Sequence, residues 1–509
     1  MDAKLIAAAR ATFPAGAGSI VLGAPLSGRD ARGGGELHPE PLVCVPLAVL
    51  NRHGLVAGAT GTGKTKTLQL IAEQLSHAGV PVFLADLKGD LSGIAAPGEA
   101  SERVSTRARE TGHPWQPRAC PVELLSLTGR LGAQVRATVS SFGPLLLAKV
   151  LDLNPTQASV LALVFKYCDD RGLELLDFAD LRTVLQHLTG PGASELATLG
   201  GMSKATVGVL LREMVELEQQ GALAFFGEPA LELGDLLRVT PDGQGVVSVL
   251  ALQDVQDKPA LFSTFMMWLL ARLFAELPEL GDPPKPKLVF FFDEAHLLFR
   301  NASPAFLDQV GQVVRLVRSK GVGIFFVTQN PKDVPPEILG QLGTRVQHAL
   351  RAFTPDDDKA LRAAARTFPK TDFYDVEETL TTLGTGEALI SALAPNGAPT
   401  QPFATRLIPP ASRMGVLSEL ELRGLLATPQ VQKYRSSVDR ESAHEKLTSR
   451  AASTEAAAED ERAGRRAPKR DDGVSISDVL NSPLARTVAN AFTRGLLGAL
   501  LGSPRRRRR

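Results

Sequence analysis

Between His53 and Thr67 the chain reads His-Gly-Leu-Val-Ala-Gly-Ala-Thr-Gly-Thr-Gly-Lys-Thr-Lys-Thr. The run Gly58, Ala59, Thr60, Gly61, Thr62, Gly63, Lys64, Thr65 and Lys66 carries the spacing Gly-x-x-x-x-Gly-Lys-Thr of a phosphate-binding loop. Its glycines permit positive φ and close backbone approach, so that N–H groups can converge on a phosphate. Lys64 then reaches the β- and γ-phosphates, and the Thr65 hydroxyl completes a Mg²⁺ shell. A second cluster is Lys287-Leu-Val-Phe-Phe-Phe-Asp293-Glu294, an apolar run ending on two carboxylates. Asp293 suits the hydration shell of Mg²⁺, and Glu294 suits polarisation of an attacking water. Gln329 follows a third apolar run, Val322–Val327, and is either a cap on the turn or, the preferred reading, a sensor of the terminal phosphate. Together these groups imply Mg²⁺-dependent hydrolysis of ATP.

Such groups act only if strands and helices bring them to one edge. Leu55–Ala57 is a short apolar strand, and Leu68, Ile71, Ala72 and Leu75 continue with helical spacing. Pro81–Ala85 reads as a buried strand, which makes a βαβ unit. Asp86 and Asp90 close that strand at the end where open α/β sheets bind ligands; the alternative is that they only turn the chain. Val246–Leu250, Leu288–Phe292, Val322–Val327 and Thr344–Leu350 continue the strands, with helices Pro259–Leu277, Pro304–Lys320 and Pro355–Ala365 between them. Arg345 and Arg351 bracket the Thr344–Leu350 strand. Each is either a strand-end charge or a cation for phosphoryl transfer.

The expected fold is α/β, a P-loop NTPase with a mostly parallel sheet flanked by helices, a mostly helical insertion and a partly disordered C-terminal tail. Residues 1–50 form a short β-leaning lead-in with strands at Ile20–Leu22 and Leu42–Val45. The ATPase core takes 51–99 and 241–410. Residues 100–240 form the helical insertion, 411–450 a charged helical segment, and 451–509 a linker, an amphipathic helix (Leu484–Leu501) and a basic tail (Arg505–Arg509). The linker composition marks everything after 411 as dispensable for folding of the core.

Across 509 residues the formal net charge is only +1, so binding to nucleic acid or to an anionic surface must come from local patches such as the terminal arginines. Cys44, Cys120 and Cys168 are far apart and odd in number, which suits a reducing cytoplasm and excludes a disulfide framework or a zinc site. The N-terminus lacks the apolar core of a signal peptide, and no apolar window is long enough to span a bilayer.

With these residues in place the chain resembles the HerA/FtsK group of P-loop ATPases, and within it the bacterial HerA-like helicase family. The resemblance rests on His53–Thr67, on Phe83–Gly93 (Phe-Leu-Ala-Asp-Leu-Lys-Gly-Asp-Leu-Ser-Gly), on Leu288–His296 and on Phe325–Ala352. It implies a RecA-like core with an additional strand between those bearing the two nucleotide motifs, which sets Gln329 beside the γ-phosphate. It also implies a homo-oligomeric ring, usually a hexamer, with ATP at subunit interfaces. FtsK-type motors point to Arg345 as the residue that crosses to the neighbouring site, and HerA-type proteins point to Arg351. Residues 1–50 are shorter than the N-terminal β-barrel of HerA proteins. Asp293–His296 spells the DEAH tetrapeptide of another helicase superfamily, but no arginine-rich companion motif accompanies it. Two functions follow: a ring motor that translocates on DNA, or a nucleotide-gated remodeller of protein.

Overall fold

Runs such as Leu288–Phe292 and Val322–Thr328 are apolar without alternation, so both of their faces must be covered. The computed structural model, which describes residues 2–13, 18–28, 35–199, 201–300, 302–394 and 396–466, places them at the centre of one sheet. In chain order its strands are β1 (Ser19–Ser27), β2 (Glu36–Leu37), β3 (Val43–Pro46), β4 (Gly54–Ala57), β5 (Val82–Asp86), β6 (Val122–Ser126) and β7 (Ala133–Gln134). They continue with β8 (Val247–Ala251), β9 (Leu288–Phe292), β10 (Val322–Thr328), β11 (Thr344–His348), β12 (Glu387–Ser391) and β13 (Phe403–Leu407). The spatial order is β2-β1-β13-β12-β11-β4-β10-β9-β5-β8-β6-β7, with β3 also paired to β1. From β11 to β7 every pairing is parallel, whereas β12, β13 and the N-terminal strands are antiparallel. The mostly parallel α/β sheet expected for a P-loop NTPase is therefore present.

Side chains alternate across the sheet and divide the core into two layers. Phe83, Phe290, Phe292 and Phe326 join one apolar cluster with Phe265 and Trp268 of the helix Pro259–Glu276. Leu84, Phe291, Phe325 and Val327 face the other way, toward Leu68, Ile71 and Leu75 of the helix Lys64–His77. Pro259–Glu276 is strongly apolar because it is buried between sheet and neighbouring helices. Among the described residues no helix is long and apolar enough to cross a membrane.

Three regions depart from the sequence reading. A helix, Asp2–Thr12, precedes the N-terminal strands, and β1 and β3 belong to the main sheet rather than to a separate lead-in. Within the segment read as a helical insertion, β6 and β7 extend the parallel sheet beyond β8. Val122, Leu124 and Leu125 are buried there, although their short run carries no period that separates a strand from a helix. The helices follow, at Val139–Val150, Pro155–Arg171, Phe178–Thr189 and Lys204–Gln219.

The third departure is a correction. Residues 411–447 are not an appendage, because they belong to the same compact unit as the sheet, which ends at Leu447. The helix Pro429–Arg435 packs on β6 and β7. Tyr434 is fully buried, and its hydroxyl donates to Asp235 and accepts from the Glu232 amide. Charged residues are interspersed through this segment and conceal the apolar anchors that fix it. A last helix, Ala443–Arg466, runs into the stretch read as linker. Leu484–Leu501 and Arg505–Arg509 lie outside the described residues, as does most of the loop Gly28–Gly35.

The segment is also tied to the phosphate-loop helix. Glu73 accepts from the Ala411 amide at 2.7 Å and from the Ser412 amide at 2.9 Å. Gln69 donates to the Ser412 hydroxyl and the Arg413 carbonyl. Burial raises the Glu73 carboxyl to about 7, against the opposing effect of its hydrogen bonds. A carboxyl with a raised folded-state pKa binds a proton that the unfolded chain has already lost. Its contribution to stability is therefore complete below about pH 4.5, the ordinary value, and is lost as pH rises to about 7. Urea unfolding of wild type and Glu73→Gln at pH 5 and pH 8 is expected to show this slope in wild type and its loss in the variant. The difference between the two proteins isolates Glu73 from the other titrating groups.

Candidate active site

β4 hands the chain directly to the phosphate loop, and the helix Lys64–His77 begins at Lys64. Gly58, Gly61 and Gly63 have φ of 151°, 80° and 113°. At Gly58 a side chain is excluded twice over, since a Cβ there would lie 2.5 Å from the His348 Cβ. The loop hangs from the ends of two strands: the Gly58 amide donates to the Thr328 carbonyl and the Ala59 amide to the Ala349 carbonyl. Beneath it, the His348 Nε2 lies 2.8 Å from the Thr67 hydroxyl. Burial lowers the His348 pKa to about 4, so this support is a neutral imidazole.

Lys64 is buried within the loop, and its Nζ donates to the Ala59 carbonyl at 3.1 Å. Burial lowers its pKa, and the nearby Glu294 works in the opposite direction. Thr65 follows in the first turn of the helix. Thr60 and Gly61 are exposed at the tip of the loop, Thr62 is buried with its hydroxyl on the Ala59 carbonyl, and Lys66 reaches the Met414 carbonyl.

Asp293 and Glu294 stand at the carboxyl end of β9. β10 lies between β9 and β4, so the acidic pair and the loop share one sheet edge, as the additional strand requires. Asp293 is buried, and burial together with Glu294 raises its pKa to about 7. Its Oδ2 has no hydrogen-bond partner. Glu294 adopts a left-handed φ of 49°, a strained state for a side chain of this size and one that persists at functional sites. One of its oxygens meets the Lys88 ammonium, and the other lies 3.2 Å from His296 Nδ1. Burial raises the Glu294 pKa, but the contact with Lys88 outweighs it and holds the carboxyl below its usual value.

Gln329 is exposed at the carboxyl end of β10. It lines a cleft of about 890 Å³ with Ala59, Thr60, His296, Arg300 and Arg351. Asp333 shapes the turn after Gln329 by accepting from the Thr328 hydroxyl and the Asn330 amide. Arg345 lies elsewhere. It pairs in register with Leu55, upstream of the loop, and lines a separate cleft with Arg52, Arg315 and Arg318. Its guanidinium donates to the Thr367 and Leu339 carbonyls. Within one subunit, then, Lys64, Asp293, Glu294, Gln329 and Arg351 share an edge, and Arg345 does not.

Two contributors escaped the sequence reading. Lys88 stands in the loop after β5, where only Asp86 and Asp90 drew attention. Asp86 turns that loop by accepting from the amides of Lys88, Gly89 and Leu91. The cue was available, because a lysine at the carboxyl end of a parallel strand is as well placed as the acids beside it. The second is a cavity of about 400 Å³ against Gly63, Lys66 and Thr67, walled by Val104, Ile408 and Pro409. Its wall from the helix Glu102–Thr111 belongs to the segment read as an insertion.

Residues 35–509 match the family described as Helicase HerA-like C-terminal. The chain belongs to that family. A probable helicase of Methanocaldococcus jannaschii is 29% identical over 153 residues, covering 28% of each chain. The probable DNA double-strand break repair helicase HerA of the same organism is 32% identical over 114 residues, covering 22% of this chain and 21% of that one. The DNA double-strand break repair helicase HerA of Sulfurisphaera tokodaii is 31% identical over 99 residues, covering 19% of each. These matches thus span less than a third of the relatives' lengths. Among solved structures, the bacterial conjugative coupling protein TrwB without ligand aligns with a TM-score of 0.50 at 15% identity, over 81% of this chain and 94% of that one. Plasmid coupling protein TrwB with a non-hydrolysable ATP analogue also aligns at 0.50 and 15%, over 81% and 95%. At that identity the likeness establishes the fold that this HerA-like chain shares with them.

Proposed function

We propose that this HerA-like chain is a Mg²⁺-dependent ATP hydrolase that assembles as a ring and moves on DNA. The observation that carries the reading is the phosphate loop and the Asp293–Glu294 pair on one sheet edge, with β10 and Gln329 between them. Backbone N–H groups of the loop and Lys64 hold the phosphates of ATP. Mg²⁺ fits the Asp293–Thr65 side, because Asp293 Oδ2 is buried and lacks a hydrogen-bond partner. Mg²⁺ takes one or two protein ligands and completes its shell with phosphate and water. Bound there, it neutralises charge on the transferring phosphoryl group. The cavity beside Gly63 and Lys66 has room for the nucleoside. The names of the two HerA relatives, DNA double-strand break repair helicases of M. jannaschii and S. tokodaii, support DNA as the track.

Phosphate release with and without double-stranded DNA, at stepped salt concentrations, tests the reading. DNA is expected to stimulate turnover, with a steep loss as salt rises. Stimulation by a protein but not by DNA would overturn the DNA part alone.

In the ring, Arg345 is the cation offered to the neighbouring site, while Arg351 serves the cleft of its own subunit. Arg345→Ala is expected to slow assembled protein by about 10³-fold or more, the scale of an arginine supplied in trans. Mixing Arg345→Ala with Lys64→Ala subunits is expected to restore part of the activity, because each completes the site the other lacks. A stable monomer with full turnover would overturn the shared site.

A further inference from the structure

Lys88 touches the proposed general base although the sequence motif for hydrolysis does not include it, and its surroundings fix it there. Asp86 is buried at the end of β5 and folds the next residues back on themselves, with amide donors from Lys88 at 3.1 Å, Gly89 at 2.7 Å and Leu91 at 3.2 Å. Gly89 takes φ 79°, and a Cβ there would meet the Gln253 side chain at 2.6 Å. The three amide bonds to Asp86 set the path of this turn, which places the Lys88 ammonium beside β9, the neighbouring strand. The Lys88 side chain is half exposed, whereas that of Glu294 is 6% exposed. Packing alone does not hold such a lysine, since a solvated ammonium loses little by staying in water.

The carboxylate it meets is hydrogen-bonded through Oε1, and its Oε2 has no hydrogen-bond partner. Its backbone is left-handed, Lys88 sits on Oε1, and His296 Nδ1 lies 3.2 Å from Oε2. We propose that Lys88 is a positioning residue for Glu294, fixing the carboxylate plane so that one oxygen faces the attacking water. The proposal rests on the ATPase reading above. In the step it serves, Glu294 takes a proton from water as the water oxygen bonds to the γ-phosphorus. The bond from that phosphorus to the bridging oxygen breaks, and ADP leaves with the electron pair. Lys88 is neither consumed nor deprotonated. Its effect falls on the chemical step and not on nucleotide affinity, because Lys64 and the loop hold the phosphates.

The test is a double-mutant cycle on the full chain, read as kcat and KM for Mg·ATP. Lys88→Ala and Lys88→Met are expected to lower kcat by about 10–100-fold, the scale of a misplaced catalytic group, with KM changed less than about twofold. Lys88→Arg, which keeps the charge near the same place, is expected to recover much of kcat. In the Glu294→Gln background, Lys88→Ala is expected to add no further loss, because it acts through the group already removed. Multiplicative losses with a raised KM would overturn the proposal in favour of direct contact between Lys88 and phosphate. Unchanged kcat in Lys88→Ala and Lys88→Met would overturn it outright. If the wild-type chain fails to hydrolyse Mg·ATP, the functional reading itself falls, and that control separates the two failures. Thermal unfolding of each variant identifies any loss that comes from misfolding, and Lys88→Met keeps the aliphatic stem in place.

Discussion

Glu294→Gln is expected to bind ATP about as well as wild type and to hydrolyse it about 10²–10⁴-fold more slowly, the usual contribution of a general base. Lys64→Ala is expected to lose tight nucleotide binding altogether. The two differ because they act on different states. In the proposed site Lys64 belongs to the loop that would surround the ground-state phosphates, and its Nζ lies 3.1 Å from the Ala59 carbonyl within that loop. Removing it leaves the phosphates without their compensating cation before any reaction begins. Glu294 acts on Lys64 through longer-range charge, and its carboxylate is engaged by Lys88. The amide of Gln preserves its shape but cannot take a proton, so the loss appears in kcat. A fluorescent-nucleotide titration beside a phosphate-release assay separates the two variants. Equal loss of binding in both would show that Glu294 holds nucleotide and not water.

A chain ending at Pro410 is expected not to fold cooperatively. Such a chain loses Leu417, Val431, Tyr434, Ala443 and Leu447, all buried on the sheet unit. Burial of each large apolar side chain contributes about 1.5–3 kcal/mol, so the sum approaches the whole stability of an ordinary domain, about 5–15 kcal/mol. Polar groups lose partners as well. Glu73 would lose the Ala411 and Ser412 donors, and Asp235 would lose the Tyr434 hydroxyl. Circular dichroism during urea unfolding is the measurement. A chain ending at Pro410 with an unchanged midpoint would show that the segment decorates the core rather than completing it.

The local arrangement that spacing encodes was legible in the sequence. Gly58, Gly63, Lys64 and Thr65 are neighbours in one loop, and a strand-to-helix turn needs only its own residues to form. The Asp293–Glu294 pair was legible for the same reason, because an unbroken apolar run has a defined carboxyl end and the acids sit on it. The sheet was legible wherever its runs are long, and β10 between β4 and β9 followed from a resemblance carried by those same runs.

What escaped is non-local. The Lys88–Glu294 contact joins residues 206 apart, the His348 support of the loop joins residues 281 apart, and the Glu73–Ser412 tether joins residues 339 apart. No period or motif links such partners, and each side chain on its own reads as an ordinary surface charge or core histidine. The placement of Arg345 and Arg351 is a further case: both bracket one strand in sequence, and the parallel register of β11 on β4 decides which of them shares the phosphate edge. Residues 411–447 show the same limit, since charges are mixed with apolar residues along them and the buried anchors decide where they pack. Composition sums over residues, but burial depends on which of them meet a complementary surface, and that surface exists only once the chain has folded.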